Sequence, residues 1–156
     1  MSLIDYERYE DRYVLGFRLS FKLLSSKKLE VLKRSKIFAV SDDQIFVITD
    51  KFSAGIIINE LLEENLTILF PGVSVFKLRF DPRAIREPGI IYTISSELRD
   101  VPILYVLSVG SDVFLVVRKK DSHRVERAIA KMLETQAHRR CSLAFWRIPY
   151  TPRTSS

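Results

Sequence analysis

The sequence predicts an α+β fold made of two βαββαβ units, each an antiparallel sheet with its helices on one face. Two observations support this prediction. Strand-like alternation and helix-like spacing follow one another in the same order in both halves of the 156-residue chain. Each half also holds two apolar runs around a short turn, at residues 41–43 and at Gly110-Ser111.

The second half shows the order most clearly. V-S-V-F-K-L-R-F (73–80) alternates as a strand does, and a helical stripe of isoleucines and leucine follows Pro88-Gly89. I-L-Y-V-L-S-V and D-V-F-L-V-V-R form the predicted hairpin. Asp121 or Ser122 can cap a second helix, and C-S-L-A-F-W-R-I (141–148) is predicted as the closing strand.

The first half repeats this order with different residues. Y-V-L-G-F-R-L-S-F (13–21) predicts a strand, S-S-K-K-L-E-V-L-K-R-S a short helix, and residues 37–49 a hairpin. Ser53 precedes a second apolar helix, and T-I-L-F is a short strand. A repeat of this length predicts two units, residues 1–72 and 73–150, divided at Pro71-Gly72. Residues 151–156 are expected to be a disordered tail.

Composition limits the protein class. The chain is 47% hydrophobic and 28% charged, with a net charge of +6, which is typical of a globular protein. Cys141 is the single cysteine, and the charged N-terminal stretch lacks an apolar signal core. We therefore expect a soluble, cytoplasmic protein.

The predicted inner strands are apolar on both faces. D-V-F-L-V-V and Q-I-F-V-I carry apolar side chains at odd and even positions alike. Strands of this kind are covered on both faces in folded proteins. The two halves are thus expected to pack on each other, on a second chain, or on both, and a homodimer is our prediction.

One stretch resembles a known family. P-G-I-I-Y-T-I-S-S-E-L-R-D-V-P-I-L-Y-V-L-S-V-G-S-D-V-F-L-V-V, followed by R-V-E-R-A-I-A-K-M-L, is similar to an ACT domain, and most of all to the tandem ACT regions that regulate aspartate kinases. The second half matches along its whole length. The first half matches in its element order and its hairpin, but L-S-F-K-L-L-S-S stands where Pro-Gly is expected.

The helix that follows Gly89 is a candidate binding site. Glycine permits a tight turn and a close approach of a ligand to the backbone. The first N–H groups of the helix, including those of Ile90 and Ile91, lack partners within the helix and favour an anion such as a carboxylate. The ammonium group of an amino acid would then find an acid nearby in Asp81 or Glu87.

The resemblance implies further parts of this site. Members of the family bind amino acids in this region, between paired units, and the second strand of a neighbouring unit forms part of the wall. In this chain that strand would contribute Leu107, Ser108 and Val109. Arg83, with Lys22 and Arg86, would favour an acidic ligand. The alternative is a plain turn, in which Asp81 bonds the backbone two residues on and the neighbouring charges are solvated.

Catalytic and metal chemistry is not predicted. His123 and His138 lie apart in basic surroundings, and Cys141 has no adjacent base. No cysteine or histidine spacing suggests zinc, and no glycine-rich phosphate loop is present in the sequence. We therefore expect a protein that is not an enzyme, with no cofactor. The predicted partners are a small molecule, a second copy and possibly a regulated protein.

Nucleic-acid binding is the alternative function. The βαββαβ order also builds RNA-recognition modules, which stack bases on aromatic residues of the central strands. In the second half of this chain, the non-core face of the first strand (73–80) carries Val75, Lys77 and Arg79, none of which is aromatic. A winged helix at residues 25–49 would need helices where 13–21 indicate a strand. Because the basic residues are dispersed among 19 acids, nucleic acid is not the favoured partner.

Overall fold

The computed structural model describes residues 3–83 and 90–147, without the side chains of residues 90–93 and 138–147. The six strands are β1 (Leu3–Arg18), β2 (Ile37–Val40), β3 (Gln44–Asp50), β4 (Leu66–Phe80), β5 (Ile103–Val109) and β6 (Asp112–Arg118). The four α-helices are α1 (Phe21–Leu24), α2 (Lys51–Leu61), α3 (Ile90–Glu97) and α4 (Ser122–Arg147). Short 3-10 helices cover Lys27–Arg34, Glu63–Asn65 and Lys119–Asp121.

The chain divides into two units. The first unit contains residues 8–76 and 116–119, and its strands lie in the order β2-β3-β1-β4. Of the described residues, the second unit contains 3–7, 77–83, 90–115 and 120–147, with the order β1-β4-β6-β5. Both orders are those of a ferredoxin-like βαββαβ sheet, and the predicted fold class is confirmed.

The fourth strand of the second unit comes from the N-terminus. Residues 3–7 of β1 lie beside β4 there, in the place predicted for residues 141–148. The prediction of a closing strand was wrong, because α4 continues through Arg147 without a glycine or proline to end it. The units therefore differ from the predicted halves in two ways. Residues 3–7 belong to the second unit, and the first unit continues past residue 72 as far as residue 76.

Pro71-Gly72 does not end a strand. β4 runs unbroken from Leu66 to Phe80, joining the two strands that the sequence analysis kept apart. Gly72 has a φ of 65° and Asp11 in β1 a φ of 52°. A residue with positive φ changes the direction of a strand as a bulge does, so pairing continues past a sequence that usually marks a loop.

The core of the first unit lies between its sheet and its helices. It contains Leu15, Phe17, Leu23, Leu32, Ile45, Val47, Ala54, Ile57 and Leu61. Phe21, the last residue of the predicted strand 13–21, instead lies in α1 and is 85% exposed, because β1 ends at Arg18 and Ser20 caps α1. The predicted helix at 25–35 is a 3-10 helix, Lys27–Arg34, capped by Ser26. A winged helix is therefore wrong for this segment.

The second unit buries the residues that its sequence pattern assigns to the core. Phe80, Leu78, Ile94, Leu98, Val125, Ile129 and Met132 are all buried, as is Leu3 from the N-terminal strand. Residues 113–117 of β6, of which 116 and 117 belong to the first unit, are buried at both parities. Both faces of this strand are thus covered within one chain, which leaves the homodimer a prediction. Val75 is also buried, so this position of β4 offers no platform for stacked bases.

Asp50 begins α2 in place of the predicted Ser53. Its carboxylate accepts hydrogen bonds from the backbone N–H and the hydroxyl of Ser53, at 2.8 and 3.0 Å. The backbone hydrogen bond from Ser53 is the main reason that the pKa of Asp50 lies below its ordinary value, while desolvation opposes the shift. Asp50 is thus a charged N-cap of α2.

The lowered pKa predicts a pH-dependent stability. Asp50 stabilises the fold fully above its unfolded pKa, and this contribution is lost as the pH falls through the lower folded pKa. Asp50→Asn keeps an N-cap but not the charge, so its unfolding free energy should fall less than that of the wild type between about pH 5 and pH 2. Asp50→Ala, which removes the N-cap, should lower the free energy of unfolding by about 1 kcal/mol at neutral pH. Urea titrations at several pH values measure both, and parallel curves for wild type and Asp50→Asn would contradict the assignment.

Candidate functional site

The end of β4 in the second unit is fixed against the β5–β6 turn. The backbone N–H of Phe80 donates to the carbonyl of Ser111 at 3.0 Å. Phe80 is buried, so the chain leaves the sheet from a well-packed position. The segment from Asp81 towards α3 therefore starts from a fixed point at the end of this unit where β5 also ends.

Asp81 forms the local turn that the alternative interpretation predicts. One oxygen of its half-buried carboxylate accepts a hydrogen bond from the backbone N–H of Arg83 at 3.0 Å. Arg83 is exposed. The turn does not exclude a second role, because a carboxylate has two oxygens and can accept several hydrogen bonds. Asp81 thus has a structural function in this turn, and its contact with a ligand stays a prediction.

The predicted helix begins where the sequence placed it. α3 starts at Ile90, so Ile90 and Ile91 lie in its first turn, where backbone N–H groups have no partner within the helix. Glu87 and Gly89 lie outside the described residues, as do Arg86 and the side chains of Ile90 and Ile91. The position at which α3 begins is therefore established.

The predicted wall residues lie at the end of an outer strand. β5 is the outermost strand of the second unit, and Leu107, Ser108 and Val109 are its last three residues. Leu107 is half-buried, whereas Ser108 and Val109 are exposed, Val109 to 59%. An outer strand with exposed apolar side chains can pair with another strand. The contact of these three residues with a neighbouring unit stays a prediction.

The first unit has an equivalent end whose helix is capped from within. The N–H of Leu19 donates to the carbonyl of Asp43 at 2.8 Å, which matches the bond between Phe80 and Ser111. Here, however, the hydroxyl of Ser20 accepts from the N–H of Leu23 at 3.2 Å. One donor of the helix entrance is thereby satisfied by the chain itself. The hydrogen bond common to both units supports the repeat, and the serine distinguishes the first entrance from the second.

A small cavity beside this capped entrance was not predicted. It measures about 140 Å³ and is lined by Ser20, Lys22, Leu23, Ser26, Lys28, Leu62, Glu64 and Asn65. Several of its polar groups bond the local backbone: Ser26 donates to the carbonyl of Leu23, and Asn65 to that of Leu61. Only Lys22 was considered in the sequence analysis. The lining comes from two segments about 40 residues apart, which no local pattern connects.

Metal-binding geometry is not found in the part of the chain that the structure describes. No group of three or more His, Cys, Asp or Glu side chains lies close enough there to hold an ion. His123 is exposed at the start of α4, and the side chains of His138 and Cys141 are outside the described set. Among residues 3–83 and 90–147, no helix is long and apolar enough to cross a membrane.

Comparison of the sequence with family models and with curated proteins gives no match. Solved structures do match. The regulatory subunit of aspartate kinase from Thermus flavus has a TM-score of 0.66 at 12% identity, over 84% of this chain and 98% of that one. The aspartate kinase of Clostridium acetobutylicum has a TM-score of 0.65 at 15% identity, over 82% of this chain but only 34% of the enzyme.

A third structure carries ligands. Escherichia coli aspartokinase III in complex with lysine and aspartate has a TM-score of 0.59 at 11% identity, over 83% of this chain and 33% of that one. Identities this low support a statement about the fold alone. On that ground, this chain has the fold of the ACT-type regulatory domains of aspartate kinases.

Proposed function

We propose that this protein is a regulatory, non-enzymatic ACT-like module that binds a small molecule, an amino acid by preference, where α3 begins. The observation that carries the proposal is the difference between the two units. Both end their first strand with the same hydrogen bond to the hairpin turn, but the first unit closes its helix entrance with Ser20 and the second has Pro88-Gly89 in the sequence there. The second unit thus keeps the sequence feature suited to a ligand carboxylate.

The ligand class follows from complementary charge. Backbone N–H groups at the start of α3 favour a carboxylate, and Asp81 lies at the other end of the same connection. A neutral or acidic amino acid has both the carboxylate and the ammonium group that this pair would bind. The resemblance to ACT domains and the amino-acid ligands of aspartokinase III, lysine and aspartate, also favour an amino acid as the ligand.

A melting screen against the twenty amino acids and common nucleotides tests the proposal. A ligand present at 100 times its Kd should stabilise the fold by about 2.7 kcal/mol, which raises the Tm by about 5–10 °C for a chain of this size. Gly89→Val should abolish the rise, because its side chain would stand where the ligand approaches the backbone. Gly55→Val is the matched control, since a Cβ at Gly55 meets no atom within 4 Å. If no compound raises the Tm, the proposed binding function is wrong.

Asp81→Asn separates the turn from the ligand contact. Asparagine retains an oxygen that can accept from the N–H of Arg83, so the turn and the stability should persist. Loss of the charge should raise the Kd of an amino-acid ligand by about 10- to 100-fold, as expected when a charge-assisted hydrogen bond is lost. Calorimetric titration measures the change. An unaltered Kd would show that Asp81 forms the turn and does not contact the ligand.

The same proposal includes a homodimer formed through β5. Val106 and Val109 are 51% and 59% exposed on this outer strand, and pairing with a second copy would cover them. Val109→Lys should convert a dimer to a monomer in analytical ultracentrifugation, since a lysine on an outer strand opposes pairing. Ile4→Lys, at a 54% exposed position of β1, is the control. A wild type that sediments as a monomer at all concentrations would rule this assembly out.

A further inference from the structure

Helix α4 carries a row of exposed basic side chains. Arg124, Arg127 and Lys131 recur at intervals of three and four residues, which places them on one face of the helix. Lys120 is exposed just before the helix begins. We refer to these four residues as the basic row. From Arg124 to Lys131 the row extends about 10 Å along the helix axis.

The acids next to these cations are partly or fully buried, although Glu126 still lies beside Arg127 at the surface. Asp121 is only 5% exposed, and its carboxylate lies 3.8 Å from the guanidinium of Arg124. Glu126 is half-buried, and its carboxylate accepts a hydrogen bond from the hydroxyl of Tyr6 at 3.2 Å. In sequence, acids and bases alternate between residues 120 and 127. On the helix surface, cations predominate until Glu134, which is exposed.

We propose that the basic row binds the phosphate backbone of a nucleic acid. Cations alone are sufficient for this contact, because it depends on charge and on the release of counterions rather than on shape. The centre of a protein interface usually needs an aromatic or apolar anchor, and the row offers none. The contact is sequence-independent, and it lies on a different element from the helix entrance of α3.

A membrane surface fits less well. Helices that lie on membranes insert an apolar face among the lipid chains. The apolar face of α4 contains Val125, Ile129 and Met132, which are 0%, 0% and 3% exposed. Within residues 122–137, whose side chains the structure describes, this face is used in the core of the second unit and is not available to lipid.

The affinity for a fluorescent 20-base-pair duplex at several salt concentrations tests the proposal. If all four cations meet phosphates, affinity should fall about 150-fold between 50 and 200 mM salt. The double variant Arg127→Gln/Lys131→Gln removes two contacts, and the fall should shrink to about 12-fold. The variant should also bind more weakly at 50 mM salt. Both substitutions are at exposed positions, and a circular dichroism melt confirms that the variant folds.

The control removes the same charge elsewhere. Lys33→Gln/Arg34→Gln, at exposed positions of the 3-10 helix of the first unit, should leave the salt dependence unchanged. No binding of the duplex at 50 mM salt would overturn the proposal, and so would equal losses in both double variants. Binding of poly-glutamate as tightly as DNA would assign the row to an acidic protein and would also overturn it.

Discussion

Replacing Leu3 with alanine should lower the free energy of unfolding by about 2–5 kcal/mol, the usual cost of emptying a buried leucine site. Leu3 is 1% exposed although it is the first residue that the structure describes. Its strand forms one side of the second unit's sheet, so the loss should weaken that unit first. Urea denaturation measures the change. Ile4→Ala is the control on the same strand. Because Ile4 is 54% exposed, this substitution should lower the free energy of unfolding by less than about 0.5 kcal/mol.

Gln136 should contribute to the same attachment. Its side-chain amide accepts from the N–H of Leu3 at 2.9 Å and donates to the carbonyl of Leu3 at 2.8 Å. Gln136→Ala removes the hydrogen-bond partners of both the N–H and the carbonyl of Leu3. This substitution should lower the free energy of unfolding by about 1–3 kcal/mol. If Leu3→Ala and Gln136→Ala both match the wild type, residues 3–7 are not part of the second unit in solution.

Adding one methyl group at Gly16 should have the second large effect, a destabilisation of about 1–3 kcal/mol. A Cβ at Gly16 would lie 2.9 Å from the Cβ of Ile68 and 3.0 Å from its Cδ1, closer than carbon atoms approach. Strands β1 and β4 would have to move apart there. Ile68→Ala should reduce the penalty in the double variant but not remove it, because the Cβ of residue 68 remains.

The same substitution at Gly55 should have the opposite sign. Gly55 is exposed within α2, and a Cβ there meets no atom within 4 Å. Gly55→Ala should therefore stabilise the protein by about 0.5–1 kcal/mol, because alanine favours the helix and restricts the unfolded chain. Thermal and urea unfolding of the two single variants provide the comparison. Equal effects at the two glycines would contradict the described packing of Gly16.

Local patterns were sufficient for most elements. The two hairpins, the strand ending at Phe80 and the helix beginning at Ile90 were predicted where the structure has them. Alternation and helical spacing are properties of neighbouring residues, so they can be seen without the rest of the fold. Of the candidate site, the sequence identified the helix entrance and the turn at Asp81, because proline, glycine and aspartate have specific backbone preferences.

Non-local pairing accounts for the errors. The stretch 141–148 was predicted as a strand because a short apolar run suits a strand or a helix equally well. Residues 3–7 were not predicted as a strand, because their charges gave no alternation that indicates a buried face. Asp5 and Glu7 pair with Arg79 at 3.7 and 3.3 Å, and this partner is more than 70 residues away in the sequence.

By itself, the sequence determined the α+β class, the two hairpins and a helix preceded by Pro-Gly, since these depend on residues close together in the chain. Only the tertiary structure decided which strand completes the second unit, and which charges remain on the surface of α4. Those outcomes depend on contacts such as Leu3 with Gln136 and Tyr6 with Glu126, each between residues more than 100 positions apart. Burial and pairing across such distances have no local pattern, and they appear only when the chain is folded.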